Sequence, residues 1–465
     1  MQGSEASETL RVEAWQRTIL VWVAFLLTLS VVIVPVGPVF AFLLIPLAAV
    51  GLGLHVLASR GHKNPQIIAG ERSSRLAGIA LGATTVLGTV IVLAIVAMRF
   101  EWTEFALGTV LMWCLVSVFL GLVVFWFTSG PQRMVFSACF SLTALFLSAV
   151  AHREVGIDVL VFLGDGARAL VSGVNPWTIG FDSPYSPELT REYYGDAVHD
   201  GQRLLFGFPS PPVPLFVAVA GLIVGEVRMG AVVLHLIAAF VLFRCANDSR
   251  GRTLAILYLC SPGVFWTALA GWTELIGSSL LALSICALTR NSRSASLLLG
   301  LLVASKQYFA FFVPLVLLLL PSGRRLKGGL LVNAGIVAST GVLALLPFLL
   351  WDPSAFLDSV VILQFNQPWR TDAFSLLVWW GENVSEVPEI FVSVLPLGAA
   401  VGVSLILGLR APKEPWAFSA SLGIAMCAMV LLSKQSFANY YSFAAAAVLI
   451  AAILFQDRSV FDSDS

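Results

Sequence analysis

Long uninterrupted apolar blocks, separated by short polar links, dominate this chain of 465 residues. Examples cover residues 19–34, 39–57, 76–98, 105–127 and 330–351. A helix needs about 20 apolar residues to cross a bilayer, and we count about twelve to fourteen blocks of that kind. Strands of a membrane barrel would instead alternate apolar and polar residues. The pattern therefore predicts an all-α fold, a polytopic bundle of about 12–14 transmembrane helices.

Composition points to the same class of protein. Hydrophobic residues make up 58% of the chain and charged residues 12%, whereas soluble domains carry roughly 25% charged residues. Mixed charges precede the first apolar block and Pro35-Val36-Gly37 follows it, so we expect no cleaved signal peptide. The six cysteines lie in or beside apolar blocks and predict neither disulfides nor a metal cluster. Without a basic tract, nothing indicates nucleic acid as a partner.

Lysine and arginine in short links set the orientation, because such links face the cytoplasm. We predict that residues 59–75, 129–133, 322–327 and 410–414 lie inside and residues 99–104, 152–211, 352–388 and 433–439 outside. If both 212–225 and 231–243 cross, the arginines of 244–252 lie outside, against the charge rule. Either one segment dips without crossing, or those arginines serve another purpose. Residues 295–321 form one long helix or two short ones broken near Lys306.

A polar stretch at residues 152–211 stands out from this background. It holds eight acidic residues against four arginines, with many aromatics, glycines and prolines. Such a long insert is seldom a mere connector. We expect a large external loop carrying short surface helices. Residues 1–133 contribute helices without a polar cluster of their own, and residues 134–465 form the region in which chemistry is expected, within one continuous membrane domain.

Asp158 is the first candidate for chemistry, because it follows the membrane helix at the water boundary. Residues 164–173 read as a short amphipathic helix stopped by Gly173, which would lie along the membrane surface. A carboxylate at the edge of a low dielectric, with Arg168 nearby, suits a general base. The alternative is an exposed loop acid that only caps or solvates the loop.

Ionisable residues inside apolar sequence are the second group of candidates: Glu274, Lys306 and Lys434. Such a group at membrane depth costs about 2.5–3.5 kcal/mol on insertion scales, so it indicates a function and a partner. For the lysines, the natural partner is a lipid phosphate. The alternative is that their long side chains reach the interface.

Aromatic and amide residues in the external segments form the third group. Residues 364–372 and the triplet Asn439-Tyr440-Tyr441 combine amides, aromatics and an arginine. Stacking faces beside amide donors suit sugar rings, but an aromatic belt at the membrane interface has the same composition. Phe208 precedes a proline-rich stretch that serves either as a stiff re-entry turn or in binding.

The order of these motifs is more specific than any one of them. Asp158 is followed by G-A-R-A-L-V-S-G-V-N-P-W at 166–177, F-P-S-P-P at 208–212, S-P-G-V-F-W-T-A-L-A-G-W-T-E at 261–274, G-L-L-V-A-S-K-Q at 300–307 and N-Y-Y at 439–441. This order resembles the integral membrane glycosyltransferases of the GT-C fold that use polyprenyl-phosphate sugars, in particular their bacterial mannosyltransferase-like branch. The likeness spans roughly residues 134–455.

The resemblance implies that Asp158 of D-x-x-V-F is the general base. The chain departs from the family at Glu274, where the family's acid is an aspartate, and at Phe208, where a tyrosine is common. The implied catalytic residues are Asp158 and Asp165. Those implied for the donor phosphate are Arg168, Lys306, Arg370 and Lys434. Those implied for substrate binding are Asn175, Trp177, Phe208, Trp272, Glu274, Gln307, Asn366, Asn439 and Tyr440.

The implied reaction moves a sugar (mannose, another hexose or a pentose) from a polyprenyl-phosphate donor to a glycolipid or cell-envelope glycan. It would proceed with inversion on the outer face of the plasma membrane. No cofactor is required, although Asp165 beside Asp158 would allow a divalent metal. The remaining alternatives are another lipid-linked transferase (a polysaccharide polymerase or ligase), a multi-helix transporter or flippase, and a non-catalytic membrane scaffold.

Overall fold

The computed structural model describes residues 19–24, 26–27, 107–130, 132–290, 293–319 and 329–455. Helix makes up 75% of it. The α-helices are α1 (Leu107–Phe127), α2 (Arg133–Ala151), α3 (Asp158–Val171), α4 (Pro187–Tyr194), α5 (Pro212–Ile223), α6 (Met229–Cys245), α7 (Ser249–Leu259), α8 (Pro262–Ala270), α9 (Glu274–Thr289), α10 (Ser294–Val303), α11 (Gly329–Trp351), α12 (Pro353–Leu357), α13 (Leu363–Asn366), α14 (Leu376–Asn383), α15 (Glu389–Arg410), α16 (Pro415–Leu431) and α17 (Ala438–Leu454). The 3-10 helices are Asp196–Val198 and Gln307–Leu319, and Asp358–Ile362 is a π-helical turn.

Four of the described helical segments are long and apolar enough to cross a membrane. They are Arg133–Ala151, Ser249–Ala270, Leu331–Trp351 and Glu389–Arg410. Shorter apolar helices accompany them, among them α6, α9, α16 and α17. The expected all-α class of membrane protein is confirmed at this level. The predictions for residues 39–57, 59–75, 76–98, 99–104 and 322–327 lie outside the described residues.

The loop at residues 152–211 folds into a cap with its own apolar core. Strands β1 (Phe181–Asp182), β2 (His199–Asp200) and β3 (Arg203–Leu204) form a small antiparallel sheet in the order β1-β3-β2. Trp177 and Phe208 pack with Phe348 and Phe356 of α11 and α12. The predicted surface helices are present as α3 and α4, and the cap is fixed to the membrane helices by aromatic contacts.

Helix α3 lies along α5, and this pairing bears on the open question about residues 212–243. Gly166 of α3 approaches Leu215 near the start of α5. Helix α5 has 12 residues, about 18 Å of helix, against a hydrocarbon core of roughly 30 Å. Just beyond its end, Arg228 donates to the carbonyl oxygen of Arg153 at 2.8 Å, back beside the cap. Helix α5 is therefore too short to span that core as a straight helix, and α6 takes Arg244 to the opposite end of the bundle.

The second open question is settled at Lys306. Helix α10 ends at Val303, and a 3-10 helix begins at Gln307. The chain therefore makes two helices with a break between them, rather than one long helix. Lys306 lies in that break, on the same side of the bundle as the cap.

Three segments predicted to be external meet at this end of the bundle. The amide of Gly207 donates to Ser359 Oγ at 2.9 Å, which joins the cap to the π-helical turn. The amide of Phe374 donates to the carbonyl oxygen of Ser436 at 2.7 Å, which joins residues 352–388 to residues 433–439. The structure thus places these three segments on one side of the bundle.

Candidate active site

A cavity of about 470 Å³ lies where the cap, residues 363–374 and residues 435–440 meet. The predicted site residues that line it are Asp158, Phe208, Trp272, Glu274, Lys306, Gln307, Arg370, Asn439 and Tyr440. They come from six separate stretches of the chain. The cavity is bounded by the water-facing cap on one side and the membrane helices on the other.

Asp158 is the first residue of α3, where the helix dipole favours a negative charge. Its Oδ1 accepts a hydrogen bond from the amide of Val159 at 2.7 Å. Its Oδ2 accepts a hydrogen bond from the phenol of Tyr194. An ionised carboxylate has about four lone-pair sites, so capacity remains for an incoming hydroxyl.

Tyr194 and Tyr185 surround Asp158 from the cap. Burial, and then the negative charge of Asp158, raise the pKa of both phenols well above their usual value near 10. Both therefore stay protonated, and Tyr194 remains a donor to the carboxylate. Helix α4, which carries Tyr194, is capped by Ser186, whose Oγ accepts from the amide of Leu189 at 3.3 Å. The folded loop at residues 152–211 thus holds the phenol of Tyr194 in place as a hydrogen-bond donor to Asp158.

Lys306 pairs with Glu274 at the inner wall of the cavity. Lys306 Nζ lies 3.3 Å from Glu274 Oε1, and the Glu274 side chain is only 1% exposed. The phenol of Tyr308 donates to the same oxygen at 3.3 Å. Lys306 Nζ also lies 6.0 Å from the centre of the Tyr440 ring. Lys306 therefore has a partner within the protein, Glu274, whereas the sequence led us to expect a lipid phosphate in that role.

The turn that delivers Glu274 depends on Gly271. Helix α8 ends at Ala270, and Gly271 adopts φ +66°, the left-handed conformation that favours glycine. Trp272 and Thr273 complete the turn before α9 starts at Glu274. This tight reversal directs three consecutive residues to the cavity wall.

Arg370 is clamped at the outer wall of the cavity. Its Nε and Nη2 donate to the two carboxylate oxygens of Asp372 at 2.8 and 2.7 Å. The guanidinium carbon lies 3.7 Å from the centre of the Tyr193 ring and 4.9 Å from that of Phe437. Asp158 is close enough to interact electrostatically with both Arg370 and Lys306. One carboxylate thus faces two fixed cationic groups across the cavity.

Four buried polar atoms on the lining residues have no hydrogen-bond partner within the described protein. They are Thr273 Oγ1, Glu274 Oε2, Gln307 Oε1 and Asn439 Oδ1. Buried polar groups are nearly always paired, so each exception needs an explanation. A ligand rich in hydroxyl groups would supply the missing donors.

Asp165 and Arg168 lie away from the cavity. They pair with each other at 2.6 Å, with 43% and 65% of their side chains exposed. Asp165 is two turns, about 10 Å, along α3 from Asp158. The structure therefore does not bring the two aspartates together for a metal. Across the described ranges, no group of three or more His, Cys, Asp or Glu side chains could hold a metal ion.

Other predicted residues serve the fold around the cavity. Asn175 Oδ1 accepts from the amide of Trp177 at 3.0 Å, which closes a turn. Trp177 is 1% exposed in the core of the cap. Lys434 Nζ donates to the carbonyl oxygen of Phe365 at 2.9 Å, and Asn366 is exposed. None of these four lines the cavity.

Several lining residues were not among the sequence-predicted candidates: Tyr185, Tyr193, Tyr194, Tyr308, Gln435 and Phe437. The wealth of aromatics in residues 152–211 was visible, but nothing local indicates which tyrosine reaches Asp158. Tyr308 lies two residues beyond Lys306 in the sequence. Its closeness to that charge could have marked it as a site residue.

The arrangement has a defined chemical capacity. Asp158 can accept a proton from a hydroxyl, Lys306 and Arg370 can stabilise an anion, and the unpaired amide and carboxylate oxygens can accept hydrogen bonds from hydroxyl groups. Comparison with family models, curated proteins and solved structures gives no match for this chain.

Proposed function

We propose that this protein is a membrane glycosyltransferase. It moves a hexose or pentose from a polyprenyl-phosphate donor to a glycolipid or envelope-glycan acceptor, with inversion, at the outer face of the plasma membrane. The observation that carries the proposal is that one cavity brings Asp158 together with Lys306 and Arg370, beside buried oxygens that have no hydrogen-bond partner among the described residues. A base, two cationic groups and hydroxyl-binding groups are the parts that this reaction needs.

The base would act on the acceptor. Asp158 accepts the proton of the acceptor hydroxyl, whose oxygen forms a bond to the anomeric carbon of the sugar. The bond from that carbon to the phosphate oxygen breaks at the same time, and its electron pair leaves with the polyprenyl phosphate. Tyr194 fixes the orientation of Asp158 through its hydrogen bond to Oδ2.

The cationic groups would act on the leaving group. Negative charge grows on the phosphate as the bond breaks, and fixed cations stabilise that charge most strongly in the transition state. Lys306 is held by Glu274 and Arg370 by Asp372, so both cations are in position before the donor binds. Little reorganisation is needed during the step.

The donor's prenyl chain needs an apolar surface next to the cavity. Leu363 and Gln364 line the cavity, whereas the neighbouring Ile362 and Phe365 are 48% exposed on the outside of the same short helical stretch. An exposed apolar surface therefore begins one residue from the cavity wall. This supports a lipid-linked donor whose sugar enters the cavity while its chain stays in the bilayer.

The same cavity also fits other lipid-linked transferases, such as a polysaccharide polymerase or ligase. A flippase, by contrast, needs no general base. A purified protein in detergent separates these possibilities, because detergent leaves no two sides between which to transport. Conversion of acceptor to glycosylated acceptor there, from a polyprenyl-phosphate sugar, identifies the glycosyltransferase. Use of a lipid-diphosphate oligosaccharide alone would identify a polymerase or ligase.

Mass spectrometry of glycolipids and envelope glycans from a deletion strain tests the proposal without knowledge of the sugar. We expect one glycan to lose the mass of a hexose or pentose. The wild-type protein and Asp165→Asn should restore it, and Asp158→Asn should not. Unchanged glycans in the deletion strain would refute the proposed function.

A further inference from the structure

A second apolar recess lies at the end of the bundle opposite the cavity. This recess, of about 630 Å³, is here called the α1–α6 groove. It is lined by Leu120, Val123, Val124 and Phe127 of α1, Phe140 of α2, Val233, Leu236, Ile237, Phe240, Val241 and Arg244 of α6, and Arg290. All of these side chains are apolar except the two arginines.

The two arginines lie together at one end of the groove. Arg244 is in the last turn of α6, and Arg290 follows the end of α9. Both line the groove, and both act electrostatically on Cys245. Arg244 donates to the carbonyl oxygen of Phe127. Within the described part of the chain, neither arginine is paired with a carboxylate, so two positive charges lie at this end without a counter-charge among the described residues.

The length of the groove matches one leaflet of a bilayer. From Val233 to Arg244, helix α6 advances about 16 Å. Half of a hydrocarbon core of roughly 30 Å is about 15 Å. Both helices that lead to these arginines begin at the cavity side, so Arg244 and Arg290 lie at the end of the bundle opposite the cavity. An acyl chain that starts there would reach the middle of the membrane along the groove.

We propose that the α1–α6 groove binds one anionic phospholipid of the leaflet opposite the cavity. The headgroup phosphate contacts Arg244 and Arg290, and an acyl chain lies between α1 and α6. Uncompensated positive charge selects a lipid with net negative charge over a zwitterionic one. The proposal is independent of the proposed function, because no residue of the cavity takes part.

Native mass spectrometry tests the charged half of this site. The full-length protein is equilibrated in detergent micelles with equal amounts of phosphatidylglycerol and phosphatidylcholine. Each basic side chain near a membrane surface contributes about five-fold to binding of an anionic lipid. Arg244→Gln/Arg290→Gln should therefore retain phosphatidylglycerol about 30-fold less well than the wild type. The matched control is Arg250→Gln/Arg410→Gln, which removes two exposed arginines outside the groove and should change nothing.

A second pair of variants tests the apolar half and keeps every charge. Ile237→Trp fills the groove at a position that is 48% exposed, and should lower lipid retention. Leu122→Trp, at a position of α1 outside the groove that is 63% exposed, should not. Equal retention of both lipids by the wild type, or equal losses in the groove variants and their controls, would overturn the proposal. Thermal unfolding of each variant shows whether it is folded.

Discussion

Replacement of Asp158 by asparagine is the sharpest test of the cavity's chemistry, because it removes the base and preserves the shape. The amide oxygen of asparagine can still accept from the amide of Val159, which Asp158 Oδ1 does at 2.7 Å. The phenol of Tyr194 can turn and accept from the amide nitrogen, since a hydroxyl both donates and accepts. Lys306 and Arg370 keep their own carboxylates, so no buried cation is left without a partner. We therefore expect Asp158→Asn to fold normally.

The expected loss follows from what a general base contributes. Positioned proton transfer is worth about 10²- to 10⁴-fold in rate, or roughly 2.7–5.4 kcal/mol of transition-state stabilisation. Asp165→Asn is the matched control, with the same change on the same helix. Its pair with Arg168 is exposed, and exposed pairs contribute about 1 kcal/mol or less to stability. Asp165→Asn should keep nearly full activity.

The assay compares kcat/KM for the purified wild type and both variants, with polyprenyl-phosphate hexoses and pentoses as donors. The donor that the wild type uses is then kept for all three. Thermal unfolding of each protein checks the fold. If Asp158→Asn stays within ten-fold of Asp165→Asn, Asp158 is not the base, and the cavity must be assigned another role.

Three further predictions concern the groups around Asp158. Lys306→Met should cost about 3–5 kcal/mol of stability, because it leaves the Glu274 carboxylate buried and unpaired. The double variant Lys306→Met/Glu274→Gln should recover the melting temperature but keep a raised KM for the donor. A double variant that melts as low as the single one would contradict the ion pair. Asn439→Leu and Gln307→Leu each remove a buried oxygen that has no partner among the described residues. Protein stability should therefore be unchanged or higher, while substrate affinity should fall roughly 2- to 10-fold. A clear loss of stability would show that these oxygens are already paired. Burial raises the pKa of Tyr194, so its neutral phenol contributes fully to stability below the ordinary value near 10, and that contribution is lost progressively as the pH rises from there towards the higher folded pKa. The tyrosinate absorbance of wild type minus Tyr194→Phe should be flat up to pH 10. A signal below that pH would contradict the burial.

The parts of this structure that sequence predicted depend on local rules. The apolar block at residues 105–127 predicted a helix, and α1 spans Leu107–Phe127. Gly173 was expected to stop the following helix, and α3 ends at Val171 with Gly173 at φ +74°. Lys306 was singled out because charge in apolar sequence needs a partner. Each rule uses only neighbouring residues.

The parts that sequence missed depend on contacts between distant segments. Tyr194 reaches Asp158 across 36 residues, and Arg370 stacks on Tyr193, which lies on another segment. Trp177 belongs to a motif that resembles a binding site, yet it anchors the core of the cap. A buried aromatic residue in a loop satisfies either role, and only the packed structure separates them.

The short helix α5 shows a second limit of apolar patterning. Twelve apolar residues can cross, dip or lie flat, and hydropathy does not distinguish these outcomes. The arginines between α6 and α7 add a signal, because they conflict with a crossing by both α5 and α6. Charge bias and segment length together predict what neither predicts alone.

In the proposed transfer step, negative charge moves from Asp158 to the leaving phosphate, so the base and the two cations act together. Before transfer, Asp158 and the donor phosphodiester each carry one negative charge. Afterwards Asp158 holds the proton and the leaving phosphate carries two charges, so the total in the cavity is constant. Fixed cations at Lys306 and Arg370 can stabilise this shift of charge without any change in solvation. Groups that act in one step give effects that do not multiply. We therefore expect Asp158→Asn combined with Lys306→Met/Glu274→Gln to lose less activity than the product of the separate losses, and a full product in kcat/KM would show that base and cation act in different steps.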